Sequence, residues 1–177
     1  MDPRFSIREA SEADGAACAA VYEPYVHDTV ITFETVPPTA EQMAGRIAAS
    51  LRDHAWLVAE DEEGVVVGYA YGGLYKERAA YAWACEVSVY LQMGLRRTGL
   101  GRAMYEDLFD RLVARGYLTA VAGMTLPNEA SEGLHAALGF EPAGTYRKIG
   151  YKHDGWHDVA WVQRELAPRD GQPAPLS

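Results

Sequence analysis

The sequence is poor in cysteine, has no long apolar run and carries no excess of positive charge. Its two cysteines, Cys18 and Cys85, lack the spacing of a metal site. We expect both to be buried, reduced thiols and expect no bound metal. No stretch reaches the roughly 18 apolar residues of a membrane span, and the N-terminus MDPRFSIREA lacks the apolar region of a secretory signal. The chain is therefore predicted to be cytoplasmic, without a membrane partner.

The charge balance is acidic, with 16 Lys and Arg against 25 Asp and Glu, a net charge of −9. Nucleic-acid-binding domains usually show a basic footprint, so a nucleic-acid partner is not expected. One short segment has a local excess of positive charge instead. In LRRTGLGRAMY, Arg96, Arg97 and Arg102 lie beside Gly99 and Gly101. This local cluster indicates a site for an anion.

The length of 177 residues and a hydrophobic fraction of 49% are typical of one globular domain, which we place at residues 1–167. Residues 168–177 are rich in proline and polar residues and are expected to be a flexible tail. The periodicity predicts the order strand, two helices, three strands, helix, strand, helix and two strands. This order is typical of a mixed α/β (α+β) fold, a central twisted mixed sheet of about seven strands flanked by about four helices.

Several element positions are predicted more closely. A helix ends near Val26, Thr39 caps the next one, and the run 80–91 (AYAWACEVSVYL) is predicted to be one long strand. The last two strands are expected at 141–152 and 156–166. A helix with Leu100, Met104, Leu108 and Leu112 at every fourth residue follows the glycine-rich segment.

A glycine-rich turn that opens a helix is a suitable place to bind phosphate. The first N–H groups of a helix have no internal partner, and glycine allows a close approach of the backbone. Two common phosphate loops do not fit. A Walker A loop needs lysine where Leu100 stands, and a dinucleotide-binding fingerprint needs a glycine where Met104 stands.

A third pattern fits. Residues 96–101 (RRTGLG) match (Gln/Arg)-x-x-Gly-x-(Gly/Ala), so the chain resembles the GCN5-related N-acetyltransferases (GNAT). The segments WACEVSVYLQMGLRRTGLG, LPNEASEGLHAALGF and GYKHDGWHDVAWVQ are similar to those of phosphinothricin acetyltransferases, a subfamily that also acts on methionine sulfoximine and sulfone. The likeness extends from Ile7 to Leu166. It implies the GNAT fold, acetyl-CoA as acetyl donor and a homodimer.

The resemblance also implies which residues hold acetyl-CoA. The backbone of three strand residues would pair with the pantetheine arm, the glycine-rich loop would hold the pyrophosphate, and an asparagine would contact the cofactor further along. In this sequence they are Val89, Tyr90 and Leu91; Arg96, Arg97, Thr98, Gly99, Leu100, Gly101 and Arg102; and Asn128.

Acetyl transfer to an amine needs a base, donors for the oxyanion and a way to stabilise the thiolate. Glu86 is the candidate base, because a carboxylate in an apolar strand has a raised pKa. The alternatives for it are a structural ion pair or a solvent-facing position. His135 is the second candidate, as general acid or second base, and its alternative is a packed helix histidine. The Val89 N–H is the candidate oxyanion donor.

The acceptor site is predicted from cations and aromatics near these residues. Charged contacts suit a substrate with acidic groups, and apolar rings suit its stem. The candidates are Phe33, Lys76, Arg78, Tyr81, Trp83, Arg147 and Lys152. The sequence departs from the family pattern at three points: Leu95-Arg96 replaces the more usual His-Gln, Arg102 replaces a small residue near the phosphates, and Lys148 replaces an apolar one.

These observations favour an N-acetyltransferase that moves acetyl from acetyl-CoA to the α-amino group of a small amino acid, directly and through a ternary complex. One alternative is a related enzyme for another amine, such as a polyamine, an aminoglycoside antibiotic or a protein N-terminus. A second is a CoA-binding module without catalysis. A nucleotide-binding P-loop protein is disfavoured by the missing lysine.

Overall fold

The computed structural model describes residues 2–177. Within them, one sheet carries helices on both faces. The strands are β1 (Ser6–Glu9), β2 (Trp56–Glu60), β3 (Val66–Leu74), β4 (Ala84–Leu91), β5 (Thr119–Thr125), β6 (Glu141–Lys152) and β7 (Gly155–Glu165). The helices are α1 (Gly15–Asp28), α2 (Ala40–Asp53), α3 (Leu100–Ala114) and α4 (Glu129–Ala137).

The sheet has the order β1-β2-β3-β4-β5-β7-β6. Only β4 and β5 pair in parallel, and all other neighbours are antiparallel. The predicted mixed sheet of about seven strands with about four helices is therefore confirmed.

The parallel pair is short. β4 and β5 pair at Ala84–Thr119, Cys85–Ala120 and Glu86–Val121 and nowhere beyond. After that point β4 stays paired with β3, and β5 stays paired with β7. Because each strand keeps its ladder on its outer side, the two halves of the sheet diverge. We call the space between residues 87–91 of β4 and 122–125 of β5 the open gap.

Two apolar cores hold the helices against the sheet. One lies beneath α3 and α4, where Leu100, Met104, Leu108 and Leu112 are fully buried, as their spacing predicts. Burying each such side chain contributes roughly 1.5–3 kcal/mol. The other core packs α1 and α2 on the opposite face. Thr39 caps α2 as predicted, with its side chain accepting from the Gln42 N–H.

The prediction of one strand over residues 80–91 is wrong in its first part. β4 begins at Ala84, and Ala79–Tyr81 forms a short 3-10 turn instead. The Trp83 carbonyl accepts from the N–H groups of Leu118 and Thr119, which marks where the chain joins β5. The apolar residues before Ala84 lie outside the β4 ladder. Apolar spacing alone does not distinguish a residue in a strand from an apolar residue in the turn that precedes it.

Both cysteines are buried and free, as predicted. In residues 168–177 the chain has neither helix nor strand. The Trp83 indole Nε1 donates to the Ala174 carbonyl at 2.7 Å, and the Ser177 N–H donates to the Arg115 carbonyl at 3.0 Å. The flexibility of this tail stays a prediction. Across the described chain, residues 2–177, each helix is too short or too polar to cross a membrane.

Candidate active site

The glycine-rich loop joins the end of β4 to the start of α3. Gly99 is the N-cap of α3 and has a φ of 74°, a left-handed conformation that glycine adopts without strain. The Leu100 N–H donates to the Thr98 side chain at 3.2 Å. The next N–H groups, those of Gly101 and Arg102, belong to the first turn and have no acceptor inside the helix. These are the donors at which the sequence predicts that an anion binds.

The arginines of this loop are on the surface. Arg96 and Arg97 are exposed, and neither forms an ion pair within residues 2–177. The Arg102 guanidinium pairs with Glu106 at 2.8 Å, one turn along α3. An exposed pair of this kind contributes at most about 1 kcal/mol, so a phosphate can replace the carboxylate. Leu100 contributes its backbone only, because its side chain is fully buried.

The register of β4 decides which backbone groups face the open gap. The Gln92 N–H donates to the Val67 carbonyl, and residues in an antiparallel pair alternate between bonding the partner strand and pointing away from it. Tyr90 therefore bonds to β3. Val89 and Leu91 direct their N–H and carbonyl groups into the gap. Of the three residues predicted to pair with the pantetheine arm, Tyr90 therefore has no free backbone group, because its N–H and carbonyl already bond to β3.

Tyr25 occupies one of these groups. Its hydroxyl donates to the Leu91 carbonyl at 2.7 Å, which ties α1 to the end of β4. The contact joins residues 66 positions apart. No local pattern in the sequence indicates it. Val89 keeps both its backbone groups free toward the gap.

Glu86 is the last β4 residue paired with β5, so it lies where the open gap begins. Its neighbours Cys85 and Val87 are buried against α3, and alternation places Glu86 on the other face. The side chain is half-buried, and within residues 2–177 it forms no ion pair or hydrogen bond. Burial raises the pKa of the carboxyl. Of the alternatives, the structural ion pair does not form.

Asn128 and His135 belong to α4, but they face different surroundings. Asn128 caps the helix through its Oδ1, which accepts from the Ser131 N–H and leaves the side-chain NH₂ to donate elsewhere. His135 is 4% exposed. Its Nδ1 lies 2.8 Å from the Ser131 carbonyl, so this nitrogen carries the proton and Nε2 accepts from the Tyr105 hydroxyl at 3.2 Å.

The acid or base role of His135 stays a prediction. Its contacts favour a different role, which is to hold α3 and α4 in position relative to each other. Both ring nitrogens have partners, and the ring packs edge-on against Phe140. Burial lowers the pKa of His135, which keeps the ring neutral. The Tyr105 bond joins α3, which begins at the glycine-rich loop, to α4, which begins at Asn128.

The loop before β4 carries four of the predicted acceptor residues. Lys76 and Arg78 are exposed, Tyr81 is partly exposed, and Trp83 is half-buried with its Nε1 bonded to the tail. The Lys76 ammonium lies 5.0 Å from the centre of the Tyr75 ring and 5.2 Å from that of Tyr81. Such cation–π contacts hold a lysine in place at a modest free-energy gain.

The remaining acceptor candidates lie away from that loop, on β6 and on the segment after α1. Lys152 is 6% exposed, and its Nζ donates to the Thr32 carbonyl at 2.8 Å. Phe33 packs on Gly150, where any Cβ atom would overlap the ring. These contacts join the loop after α1 to β6. Arg147 lies on β6 itself, the outermost strand, separated from β4 by β5 and β7.

Two features near this site were not anticipated from the sequence. Glu34 and Arg46 form a two-point ion pair at 2.8 and 2.9 Å beside Tyr22, lining a cavity of about 520 Å³ that none of the predicted site residues lines. Trp161 of β7 lies across Gly123 of β5. No group of three His, Cys, Asp or Glu side chains within 2–177 has the arrangement of a metal site.

Comparison with known proteins agrees with this geometry. The model of the acetyltransferase (GNAT) domain family matches residues 7–161. This chain belongs to the GNAT acetyltransferase family. A crystal structure of a GNAT superfamily phosphinothricin acetyltransferase from Sinorhizobium meliloti, in complex with AcCoA, has a TM-score of 0.92 at 34% identity, covering 97% of this chain and 94% of that one.

Two relatives are informative in sequence. A phosphinothricin N-acetyltransferase from Streptomyces viridochromogenes is 42% identical over 160 residues, 90% of this chain and 87% of the relative. An L-methionine sulfoximine/L-methionine sulfone acetyltransferase from Pseudomonas paraeruginosa is 35% identical over 169 residues, 95% of this chain and 98% of the relative. The predicted resemblance is confirmed. The GNAT protein is an acetyl-CoA-dependent N-acetyltransferase.

The His135–Tyr105 bond gives a stability prediction. Tyr105→Phe removes the buried hydroxyl and leaves Nε2 without a donor, so we expect the free energy of unfolding to fall by about 1–3 kcal/mol. Urea unfolding at pH 7 measures this loss. A Tyr105→Phe variant as stable as the wild type would contradict the pairing.

The lowered pKa of His135 also makes the stability of the fold depend on pH. The stability that neutral His135 supplies is present above its unfolded pKa of about 6.5 and is lost as the pH falls below that value, because the unfolded state binds the proton more readily.

Proposed function

We propose that this enzyme acetylates the α-amino group of a small amino acid with an anionic or strongly polar side chain, of the phosphinothricin, methionine sulfoximine or methionine sulfone type. The observation that carries the proposal is the unpaired, half-buried Glu86 where the open gap begins. Lys76 and Arg78 stand on the loop leading into its strand. The names of the relatives support the acceptor class.

Acetyl-CoA would lie along the open gap. The free backbone groups of Val89 and the Leu91 N–H suit the amides of the pantetheine arm, which then takes the place of a missing strand. The first-turn N–H groups of α3, together with Arg96 and Arg97, suit the pyrophosphate. The free NH₂ of Asn128 is a further donor at the start of α4.

The transfer needs no covalent enzyme intermediate. Glu86 accepts a proton from the acceptor's ammonium, directly or through water, and the free amine attacks the thioester carbonyl. The N–C bond forms, the C–S bond breaks, and the CoA thiolate leaves. The second proton of the attacking nitrogen passes to that thiolate, directly or through water, so the products are the neutral amide and CoA thiol. The Val89 N–H faces the gap and is our candidate for stabilising the carbonyl oxygen as it becomes negative. Holding both substrates together supplies much of the rate enhancement.

The acceptor's acidic groups would bind the cations around the gap. Lys76 and Arg78 are exposed and available for this role. Lys152 is a weaker candidate, because burial lowers the pKa of its amine and Thr32 already accepts from it. Phe33 and Tyr81 would form walls of the acceptor pocket. Trp83 would act indirectly, by holding the loop that carries Lys76 and Arg78. Arg147 is also a weaker candidate, because β5 and β7 separate its strand from β4.

We also propose that the protein forms a homodimer through β6. Among residues 2–177 the outer edge of β6 has no strand partner, and the β6–β7 hairpin exposes four large apolar side chains at 57–61%. These are Tyr146, Ile149, Tyr151 and Trp156. An exposed apolar edge of this kind usually pairs with another chain. Light scattering at micromolar concentration tests the proposal, and a mass of about 19.4 kDa, the monomer, would contradict it.

The acceptor class is tested by thiol release from acetyl-CoA. We expect turnover with phosphinothricin, methionine sulfoximine or methionine sulfone, and at least about 100-fold lower kcat/KM with spermidine, an aminoglycoside or a peptide N-terminus, since these lack the acidic groups that the cations would pair with. A preference for the polyamine or the peptide would overturn the acceptor class. CoA binding without any thiol release would indicate a non-catalytic module.

The role of Glu86 is tested by its pH dependence. The carboxyl accepts a proton only when ionised, so wild-type kcat/KM falls as the pH drops through the raised Glu86 pKa. Glu86→Gln is expected to lower kcat by about 10²–10⁴-fold and to abolish this acid limb, with an unchanged Kd for acetyl-CoA. The matched control is Glu63→Gln, at an exposed position of the turn between β2 and β3, which should stay within about twofold of wild type. An unaltered rate in Glu86→Gln would remove Glu86 as the base.

A further inference from the structure

Trp161 occupies an unusual position on the open side of the sheet. It pairs with Gly123 across β7 and β5, and it is half-buried. Its six-membered ring lies 3.3 Å from the point where a Cβ atom on Gly123 would stand. Since Gly123 has no side chain, the indole extends from β7 across β5, in the direction of β4.

This indole lies on the same face of the sheet as Glu86. Glu86 pairs with Val121, and Gly123 is two residues further along β5, which places both on one face. The open gap separates β4 from β5 at this level. Glu86 therefore stands on one flank of the gap and the Trp161 ring on the other.

Trp161 also contacts the loop between β3 and β4, residues 75–83. Its ring centre is 6.2 Å from that of Tyr75, at an interplanar angle of 60°, and Tyr75 is 5.7 Å from Tyr81 in an edge-to-face contact. Lys76 lies over both tyrosines. We call Tyr75, Tyr81 and Trp161 the aromatic wall. It offers an apolar surface with one cation at its rim.

We infer that Trp161, seated on Gly123, sets the size limit for the acceptor's side chain. The inference rests on the proposed function and deepens it. A short methylene stem fits along the aromatic wall, with its polar end near Lys76. A bulky aromatic side chain is excluded, because the indole fills the space above Gly123. The favoured substrates are therefore short amino acids with a polar or anionic end.

The test compares acceptors in three proteins, the wild type, Trp161→Ala and Trp161→Phe. The measured quantity is kcat/KM for phenylalanine divided by kcat/KM for methionine sulfone. Trp161→Ala is expected to raise this ratio at least about tenfold, because removing an apolar obstruction of several carbons changes discrimination by that order. Trp161→Phe keeps a ring above Gly123 and is expected to stay near the wild-type ratio. The Kd for acetyl-CoA is expected to stay unchanged in both.

A second variant approaches the same contact from the opposite side. Gly123→Ala places a methyl group 3.3 Å from the indole, so the ring must shift by a few tenths of an ångström, and KM for methionine sulfone is expected to rise several-fold while the Kd for acetyl-CoA is unchanged. The control is Gly45→Ala, where an added Cβ meets no atom within 4 Å. Gly123→Ala remains informative if Trp161→Ala does not fold.

The outcomes separate this inference from the proposed function. If the wild type acetylates no amino acid, the proposed function fails. If it does, and both Trp161→Ala and Gly123→Ala keep the wild-type ratio and KM, then the size-limiting role of Trp161 is wrong and the acceptor class stands. A changed ratio accompanied by an equal loss of acetyl-CoA affinity would also overturn it, because that result indicates a general distortion of the gap.

Discussion

The pairing of β4 with β5 ends at Glu86 and Val121, while each strand keeps its full ladder on the outer side. A sheet under this constraint must divide into two halves. The division leaves backbone groups of Val89 and Leu91 without strand partners, although buried or half-buried backbone groups are normally paired. An extended ligand with amide groups satisfies them. The donor site that we propose is thus a consequence of where the ladder stops.

Charges at the two ends of the open gap complement this geometry. Arg96 and Arg97 stand at the end where β4 leads into α3, and Lys76 and Arg78 stand on the loop that leads into β4. The chain as a whole carries a net charge of −9. Interactions between exposed charges are screened beyond about 8–10 Å, so an anionic ligand at the gap is affected more by these local cations than by the net charge. Between them, Glu86 is the one carboxylate assigned to the chemistry.

Much of the fold could be predicted because its signals are local. The leucine spacing of α3, the cap at Thr39 and the glycine-rich loop are each read within a few residues, and all three are found where expected. The site is less predictable, since its contacts join distant positions. Tyr25 and Leu91 are 66 residues apart, and Tyr105 and His135 are 30 apart.

The register between neighbouring strands could not be predicted from the sequence either. Whether Val89 or Tyr90 faces the open gap depends on how β3 aligns with β4, and a shift of one residue would reverse the answer. Similarly, Trp161 and Gly123 become neighbours only through the β5–β7 alignment. The half-buried setting of Glu86, by contrast, could be predicted, because a lone carboxylate in an apolar strand is a local signal, and its role as the base stays a prediction.

The central claim is that acetyl-CoA binds as a substitute strand along the gap edge of β4, and residue-resolved amide hydrogen exchange by NMR tests it most directly. In the free protein, the Val89 and Leu91 N–H groups should exchange quickly and that of Tyr90 slowly, because only Tyr90 bonds to β3. Saturating acetyl-CoA should slow exchange at Val89 and Leu91 and leave Tyr90 nearly unchanged. Exchange at Val89 and Leu91 that stays fast in the complex would contradict the account.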